Sequence, residues 1–314
     1  MREISVFSGT AHRALAEEIC GHLGVPLLPV AVRRFANDCL EVQLQSNCRE
    51  RDVFLIQPLA APVQEHLVEL LLMIDAARGA SAARVTAVIP HYAYARSDKK
   101  NMPRVSIGGR LVADLLVAAG ASRVLTMTLH APQVHGFFSV PVDHLHALRE
   151  IADHFCGFDL SDSVVVSPDL GNAKSAAALA RMLALPVAAG AKERISDDKV
   201  TITSIIGDVA GRNAIVLDDE IARGTTIVEI LGRLRDQGAR SVRIACTHGL
   251  FCDGALKRIA AWPEVKQIVC TNTVPLGEPD DTDKLHVISV APALAEAIRR
   301  IHVGESVSAL FHDQ

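Results

Sequence analysis

The sequence predicts an α/β protein of two successive domains, each a mainly parallel sheet flanked by helices. Short apolar runs alternate with longer amphipathic runs, which is the pattern of parallel α/β layers. A second series of such runs begins near residue 147, and a last amphipathic run follows residue 290. We therefore predict domains at 1–146 and 147–290, with 291–314 forming a C-terminal helix that packs back on the first domain.

In both series the strands are short and rich in Val and Ile, while the helical runs place apolar residues three and four positions apart. In the first series the predicted strands are 4–7, 52–56, 84–90 and 122–130, and the predicted helices are 14–23, 66–77 and 107–119. In the second the strands are 163–167, 185–189, 214–217, 241–247, 267–272 and 284–290, and the helices are 175–183 and 227–235.

The composition narrows the class of protein. The 314 residues are 49% hydrophobic and 22% charged, as in ordinary globular proteins. A net charge of −4, no long basic run and few aromatic residues argue against nucleic acid as a partner. No apolar run approaches the roughly 18 residues of a membrane span, and the N-terminus opens into a strand-like run rather than a signal peptide. Seven cysteines without a Cys-x-x-Cys pair are typical of reduced thiols. We expect a cytoplasmic protein with no membrane partner.

The stretch 213–226 is the strongest candidate for a ligand site. A predicted strand is followed by Asp218 and Asp219, then by a loop of small and hydroxyl residues and a helical run. Backbone N–H groups and the positive end of a helix can hold a phosphate, and the carboxylates can bind hydroxyls or a magnesium shell. A plain strand–loop–helix crossover with a solvated acidic pair is the alternative.

Two single residues follow other predicted strands. Asp169 comes after 163–167 and before a helical run, at the strand end where open α/β sheets place ligands, although Asp is also a common helix cap. His130 ends the strand 122–130 without the spacing of a metal-ligand motif. A metal or phosphate role for His130 therefore competes with ordinary packing.

The densest basic segment follows the predicted strand 84–90. It carries Arg96, Lys99, Lys100 and Arg104 close to two tyrosines. Such a segment suits a polyphosphate, although a solvated charged loop has the same pattern.

A second polar segment, 190–199, carries Lys192 and Arg194. Two cations on a mobile loop are typical of a lid that closes over a phosphoryl transition state, and a surface hairpin is the alternative. Phe35 stands among polar residues, and is either a base-stacking aromatic or a loop side chain anchored in a core. The sequence has neither a Gly-x-x-x-x-Gly-Lys-Ser/Thr loop nor a protein-kinase set, so the usual machinery of γ-phosphoryl transfer is missing.

Short matches in the same order along the whole chain resemble the ribose-phosphate diphosphokinases, or phosphoribosyl pyrophosphate synthetases. The matching segments are 7–9, 34–35, 90–96, 124–127, 129–130, 136–138, 140–145, 167–169, 206–208, 218–219, 246–248, 271–273, 289–292, 294–302 and 304–308. The resemblance implies two domains of the type I phosphoribosyltransferase kind, an ATP side in the first and a ribose 5-phosphate side in the second. It also implies transfer of the β,γ-diphosphoryl group of ATP to O1 of ribose 5-phosphate.

By position, the resemblance assigns His130 and Asp169 to magnesium, and Lys192 with Arg194 to catalysis. The residues that it places around ATP are Phe35, Asn37, Asp38, Cys39, Arg96 and Ser97. The residues that it places around ribose 5-phosphate are Arg194, Asp218, Asp219, Ala222, Arg223, Gly224, Thr225 and Thr226. It further implies Mg²⁺, ATP as co-substrate, inorganic phosphate as a candidate activator, and a homo-oligomer, either a dimer or a hexamer.

The chain departs from the family pattern at or beside the expected ligands. The family phosphate loop usually has the form Asp-Thr-Ala/Gly-Gly-Thr, where this chain has Ala222-Arg-Gly-Thr-Thr226. The other departures are Cys39, Ser97, Thr128, Asn172, Ser175 and Glu193. Three functions therefore stay open: an active diphosphokinase for ribose 5-phosphate or another sugar phosphate, a regulatory homologue with little or no catalysis, and a phosphoribosyltransferase. The last does not explain the matching N-terminal half.

Overall fold

The computed structural model describes residues 3–196, 199–277 and 282–310, except for the side chains of 192–196, 199–201, 203 and 309. The chain forms two compact units. The first unit contains the described residues up to His146, Thr273–Pro275 and the described residues from Val290 onward. The second unit contains Ala147–Asn272 and Leu276–Ser289. Each unit is a mainly parallel sheet flanked by helices, which confirms the predicted fold class.

The first unit is built on a six-stranded parallel sheet with a separate antiparallel hairpin. Its elements are β1 (Ile4–Ser8), α1 (Arg13–Leu23), β2 (Leu27–Leu28), β3 (Val30–Arg34), β4 (Leu40–Leu44), β5 (Asp52–Ile56), α2 (Val63–Gly79), β6 (Arg84–Ile89), α3 (Gly108–Ala119), β7 (Arg123–Met127) and β8 (Val142–Leu145). The strand order is β2-β1-β5-β6-β7-β8, with every neighbouring pair parallel. β3 and β4 pair only with each other.

The second unit is built on a seven-stranded sheet. Its elements are α4 (Leu148–Phe155), β9 (Ser163–Ser167), α5 (Ala173–Met182), β10 (Val187–Ser196), β11 (Lys199–Ile206), β12 (Asn213–Ile221), α6 (Thr225–Asp236), β13 (Ser241–Gly249), α7 (Ala255–Ala260), β14 (Val265–Thr271) and β15 (Leu285–Ile288). The strand order is β11-β10-β9-β12-β13-β14-β15. All pairs are parallel except β10 with β11.

The central strands of both sheets are buried along their whole length. β5 and β9 have no exposed residue, because helices cover both faces of a parallel sheet. Helix α2 contributes Leu70, Met73 and Ile74 to the core of the first unit, and α6 contributes Ile227, Ile230 and Leu231 to that of the second. Their spacing of three and four residues is the one that puts apolar side chains on one helix face.

The C-terminal helix α8 (Ala291–Val303) belongs to the first unit and packs against α1. Polar contacts at its end involve Asp52, whose side chain is fully buried. Nδ1 of His302 lies 2.8 Å from Oδ2 of Asp52. The guanidinium of Arg84 pairs with the same carboxylate and also donates to the carbonyl of Ile301 at 3.2 Å. The buried carboxylate is therefore compensated by two partners, one of them on α8.

Several predicted boundaries differ from the structure, and three of these differences concern the predicted site. β7 ends at Met127 rather than at 130, because Thr128 takes a left-handed φ of 42° that no strand can continue. β12 extends to Ile221 and so includes the acidic pair, since its partner β13 continues to Gly249. The strand predicted at 185–189 continues as β10 to Ser196 and pairs antiparallel with β11, so the segment 190–199 forms the surface hairpin that was the alternative to a mobile loop.

Candidate active site

The residues predicted for ribose 5-phosphate lie at the carboxyl edge of the second sheet. β9, β12, β13 and β14 are parallel, so their carboxyl ends lie at one edge, which is where α/β sheets bind ligands. Asp169 follows β9, and Asp218 and Asp219 lie near the end of β12. The structure therefore brings these three predicted carboxylates together, as their electrostatic interaction also shows.

The carboxyl of Asp218 is strongly perturbed. Loss of hydration raises the pKa of Asp218 well above its ordinary value, and the charges of Asp219 and Asp169 raise the pKa further. The backbone N–H of Asp219 donates to Oδ1 of Asp218 at 2.9 Å, which opposes the shift. A cluster of carboxylates that repel one another is the kind of donor set that a hard divalent cation stabilises.

This set fits a magnesium ion that keeps much of its water. Within the described residues, no three or more His, Cys, Asp and Glu side chains form a compact metal-binding group. Mg²⁺ is usually bound through only one or two carboxylates, with waters and substrate phosphates completing its shell. Asp169 and Asp218 are suited to that kind of binding, whereas a cage built entirely of protein ligands would need more of them.

The turn that carries Asp169 is stabilised by polar contacts on both sides. Oδ1 of Asp169 accepts from the backbone N–H of Asn172 at 3.1 Å, so Asp169 begins the turn that leads to Asn172, the N-cap of α5. The amide of Asn172 donates to the carbonyl of Leu217 at 2.9 Å. Asn172, one of the departures from the family pattern, thus connects the Asp169 turn to β12, one residue before Asp218.

The phosphate loop, residues 222–226, leads from β12 into α6. Gly224 has a left-handed φ of 68°, and a Cβ at this position would lie 2.9 Å from Cδ1 of Ile259, so both conformation and space favour glycine. Gly224 is the N-cap of α6 and supplies no side-chain hydrogen bond. The first N–H groups of α6 therefore lack a cap from the preceding residue and can bind an anion. The predicted succession of strand, loop and helix is the one in the structure, with the acidic pair inside the end of the strand rather than after it.

The two cations predicted for catalysis lie on β10. The backbone of Lys192 pairs with Ile202 of β11 and that of Arg194 pairs with Val200. Their side chains lie outside the described residues, so their catalytic roles stay predictions. Only the first part of β10 pairs with β9, and the part with these cations pairs with β11 alone.

In the first unit, four of the residues predicted for ATP (Phe35, Asn37, Asp38 and Cys39) lie at the tip of the β3–β4 hairpin. The tip is closed by hydrogen bonds from Phe35 N–H to Cys39 O and from Asp38 N–H to Phe35 O, both 2.9 Å. Asp38 takes a left-handed φ of 69°, and its carboxylate pairs with Arg34, which also pairs with Glu65 of α2. Phe35 is 51% exposed. An exposed ring is available for stacking and is not the core anchor that was the alternative.

The other residues predicted for ATP follow β6. Arg96 ends a 3₁₀ turn (Ala93–Arg96) and is exposed. The hydroxyl of Ser97 accepts from the backbone N–H of Gly108 at 2.8 Å, at the start of α3. Ser97 therefore stabilises the loop that follows Arg96, a role that the family comparison by position did not suggest.

His130 lies just beyond β7 in the first unit and is exposed. The backbone before it is fixed by two contacts with β8: Thr128 N–H donates to Leu145 O, and Leu129 N–H donates to Nε2 of His144, both at 2.8 Å. Because Nε2 of His144 accepts, a neutral His144 carries its proton on Nδ1. His130 belongs to the first unit and Asp169 to the second.

Sequence reasoning missed two residues that contact the phosphate loop, Asp253 and Arg258. Oδ2 of Asp253 lies 3.2 Å from Nε of Arg223. Nη2 of Arg258 donates to the carbonyl of Arg223 at 2.8 Å, and its Nη1 donates to the carbonyl of Asp253. The only local signal was the dipeptide Asp253-Gly254, which predicts a turn but not its partner.

None of the helices in the described part of the chain is long and apolar enough to cross a membrane.

Two family models match the chain. Residues 4–120 match the N-terminal domain of ribose phosphate pyrophosphokinase, and residues 178–312 match the phosphoribosyl synthetase-associated domain.

Relatives match over nearly the full length. A Streptomyces coelicolor protein is 73% identical over 311 residues, covering 99% of this chain and 98% of the relative. The ribose-phosphate pyrophosphokinase of Deinococcus radiodurans is 51% identical over 312 residues, covering 98% of this chain and 97% of its own. That of Parasynechococcus marenigrum is 45% identical over 311 residues, covering 99% and 94%.

A crystal structure has the same fold. The phosphoribosylpyrophosphate synthetase of Mycobacterium smegmatis superposes with a TM-score of 0.91 at 38% identity, covering 96% of this chain and 100% of that one. The predicted resemblance and the predicted fold of two phosphoribosyltransferase-like domains are thereby confirmed. The chain belongs to the ribose-phosphate pyrophosphokinase family.

Proposed function

We propose that this chain is an active ribose-phosphate pyrophosphokinase, which converts ATP and ribose 5-phosphate into 5-phosphoribosyl 1-diphosphate and AMP. The observation that carries the proposal is full-length similarity to enzymes of that name at 45% and 51% identity. The site supports it as well. The carboxylates of Asp169, Asp218 and Asp219 can bind sugar hydroxyls, and the uncapped N–H groups at the start of α6 can bind a phosphate. The same similarity favours the enzyme over the regulatory homologue.

In the proposed reaction, O1 of ribose 5-phosphate attacks the β-phosphorus of ATP. The O1–Pβ bond forms, the bond from Pβ to the oxygen bridging it to Pα breaks, and AMP leaves with that oxygen. The proton of the O1 hydroxyl is lost to solvent or to a basic group. Charge builds on the oxygens around Pβ, so cations placed there lower the barrier. We assign that role to Lys192 and Arg194.

On the sugar side, we assign the 5-phosphate to the phosphate loop and the ribose hydroxyls to Asp218 and Asp219. A phosphate held by the first N–H groups of α6 fixes one end of the sugar. Carboxylates that accept hydrogen bonds from two hydroxyls fix its orientation, which is the main contribution that a positioning site makes to phosphoryl transfer.

On the nucleotide side, we assign adenine to the hairpin tip formed by Phe35, Asn37, Asp38 and Cys39. An exposed aromatic ring can stack on a purine. The exposed cation Arg96, on the turn stabilised by Ser97, is assigned to the phosphates of ATP.

For magnesium, we assign Asp169 as a carboxylate ligand, with Asp218 and Asp219 acting through its water shell, and His130 as an imidazole ligand. When bound, the ion would neutralise charge on the diphosphate and orient its oxygens.

We extend the proposal to a cytoplasmic homo-oligomer, either a dimer or a hexamer, with inorganic phosphate as an activator. All seven cysteines are free thiols, as is common in a reducing compartment.

The test is AMP release by the purified full-length chain with ATP, Mg²⁺, inorganic phosphate and a set of pentose phosphates. We expect AMP to appear with ribose 5-phosphate, and more slowly or not at all with its isomers. A chain that binds ATP but releases no AMP with any pentose phosphate would be the regulatory homologue. Faster release with another pentose phosphate would reassign the sugar.

A further inference from the structure

The turn formed by residues 250–254 lies against the phosphate loop. Its backbone is connected to the end of β12, because the N–H groups of Leu250 and Phe251 both donate to the carbonyl of Ile221 at 3.0 Å. At its other end, Asp253 pairs with Arg223 at 3.2 Å. The turn therefore contacts the phosphate loop through both backbone and side chain.

Arg258 of α7 fixes the backbones of the two paired residues. One guanidinium nitrogen donates to the carbonyl of Arg223 at 2.8 Å and another donates to the carbonyl of Asp253. The two main chains are thus connected through Arg258 whether or not their side chains touch. The side chain of Arg223 can leave Asp253 while both backbones keep their positions.

The pair itself is weak. The side chains of Arg223 and Asp253 are 77% and 68% exposed, and exposed ion pairs contribute little because water and salt screen them. A phosphate dianion at the start of α6 is a stronger partner for a guanidinium, since hydrogen bonds between two charged groups are the strong ones. Arg223 immediately precedes Gly224, the N-cap of α6, which places it beside that anion site.

The backbone of Asp253 takes an uncommon conformation for a residue with a side chain. Its φ is 54°, in the left-handed region, and the turn also contains left-handed φ values of 44° at Phe251 and 70° at Gly254. Glycine takes this conformation at no steric cost, and among the other residues Asp and Asn tolerate it best. The turn therefore favours Asp at position 253, and its side chain faces the cation of the phosphate loop.

We propose that Asp253 is a competing counter-ion for Arg223, and that Arg223 exchanges Asp253 for the 5-phosphate when ribose 5-phosphate binds. The inference rests on the proposed function and adds a specificity-determining pair to it. Asp253 keeps Arg223 beside the empty loop and lowers the net affinity for phosphate, since the ion pair must break before the cation reaches the substrate. The affinity for the sugar phosphate is then set by residues 223 and 253 together.

Three variants test this: Arg223→Ala, Asp253→Asn and the double substitution. Asn tolerates a left-handed φ as Asp does, so Asp253→Asn removes the charge and leaves the turn intact. The dissociation constant for ribose 5-phosphate is measured by calorimetry on the full-length chain, with Mg²⁺ and a non-hydrolysable ATP analogue. The Michaelis constant for ribose 5-phosphate is measured in parallel. Arg13→Ala, which breaks an exposed Arg–Glu pair in α1 of the first unit, is the control.

We expect Arg223→Ala to weaken binding about tenfold, as for loss of one charge-assisted contact. Asp253→Asn should tighten binding about threefold, since the competing interaction that it removes is an exposed ion pair and such pairs contribute little free energy. In the Arg223→Ala background the second substitution should change nothing, because Asp253 acts through Arg223. Arg13→Ala should match the unaltered protein.

Two results would overturn the proposal. One is that Asp253→Asn weakens the binding of ribose 5-phosphate or leaves it unchanged. The other is that Asp253→Asn has the same effect on binding whether or not Arg223 is present. Either result can occur in a chain that releases AMP, so it would refute the exchange without touching the proposed reaction. If instead the unaltered chain binds ribose 5-phosphate but makes no AMP, the calorimetric comparison still decides the role of Asp253.

Discussion

Replacing Gly224 with alanine should lower both the stability of the protein and its affinity for ribose 5-phosphate, because the backbone and the space at this position favour glycine. Alanine at a φ of 68° costs about 1 kcal/mol or more. Its Cβ would also lie 2.9 Å from Cδ1 of Ile259 in α7. Moving the Ile259 side chain away to relieve this contact costs about 1 kcal/mol more. The free energy of unfolding should therefore fall by about 2 kcal/mol. Because the start of α6 must shift, the Michaelis constant for ribose 5-phosphate should rise about tenfold.

Gly238 provides a matched control at the other end of α6. It has a similar φ of 76°, and a Cβ there would have no atom within 4 Å. Gly238→Ala should thus lower stability through the backbone alone and leave the Michaelis constant unchanged. Adding Ile259→Val to Gly224→Ala removes Cδ1 and should recover most of the substrate affinity. Equal Michaelis constants for the Gly224 and Gly238 variants, measured by AMP release, would refute the assignment of the loop to the sugar phosphate.

Three further predictions concern other parts of the chain. Arg84→Met should lower the free energy of unfolding by about 3 kcal/mol in urea titrations, because buried Asp52 loses one partner; a loss below about 1 kcal/mol would contradict this account of α8 docking. Lys192→Ala should leave ATP binding nearly intact by calorimetry while turnover falls about 10³-fold or more, and turnover like that of the unaltered chain would remove Lys192 from the mechanism. Hydrogen bonds from two arginines of α8 lower the pKa of Glu296 from 4.5 to about 2, so this carboxylate stabilises the fold above pH 4.5 and progressively less as pH falls toward 2. Glu296→Gln should then lower the thermal midpoint slightly at neutral pH, with the difference closing near pH 2, and a gap that does not narrow on acidification would count against the pairing.

Much of the fold was predictable because parallel strands are short apolar runs with clear helical runs between them. Residues 52–56 and 163–167 were placed within their observed bounds, since both are buried on two faces and carry no polar interruption. The hairpin of β3 and β4 was missed because its residues are half-exposed and charged. Its stability comes from pairing between the two strands and from the packing of Val30, Val42 and Leu44 against the core of the first unit.

The segment 190–199 shows a limit of reading polarity alone. Its charged residues left a mobile loop and a surface hairpin open, and the chain forms the hairpin, with strand up to Ser196 and again from Lys199. What decides its backbone is pairing with β11, a contact that only the folded chain provides.

The candidate site was predictable where carboxylate side chains lie at or just after the end of a strand, as at Asp169, Asp218 and Asp219. It was not predictable where a contact joins distant segments. Asp253 and Arg258 reach the phosphate loop from about thirty residues away in sequence, and local pattern carries no information on that approach. Asn172 was recognised only as a departure from the family, whereas the structure gives it a contact with the carbonyl of Leu217.

The most direct test of the central claim is ³¹P NMR of the products formed by the full-length chain from ATP, Mg²⁺ and ribose 5-phosphate, with inorganic phosphate present. Transfer of a diphosphoryl group predicts AMP and a sugar carrying a diphosphate on C1 while keeping its 5-phosphate, in equal amounts. Appearance of ADP with a sugar that has gained a single phosphate, or no consumption of ATP beyond that in a sample without the sugar, would contradict the account.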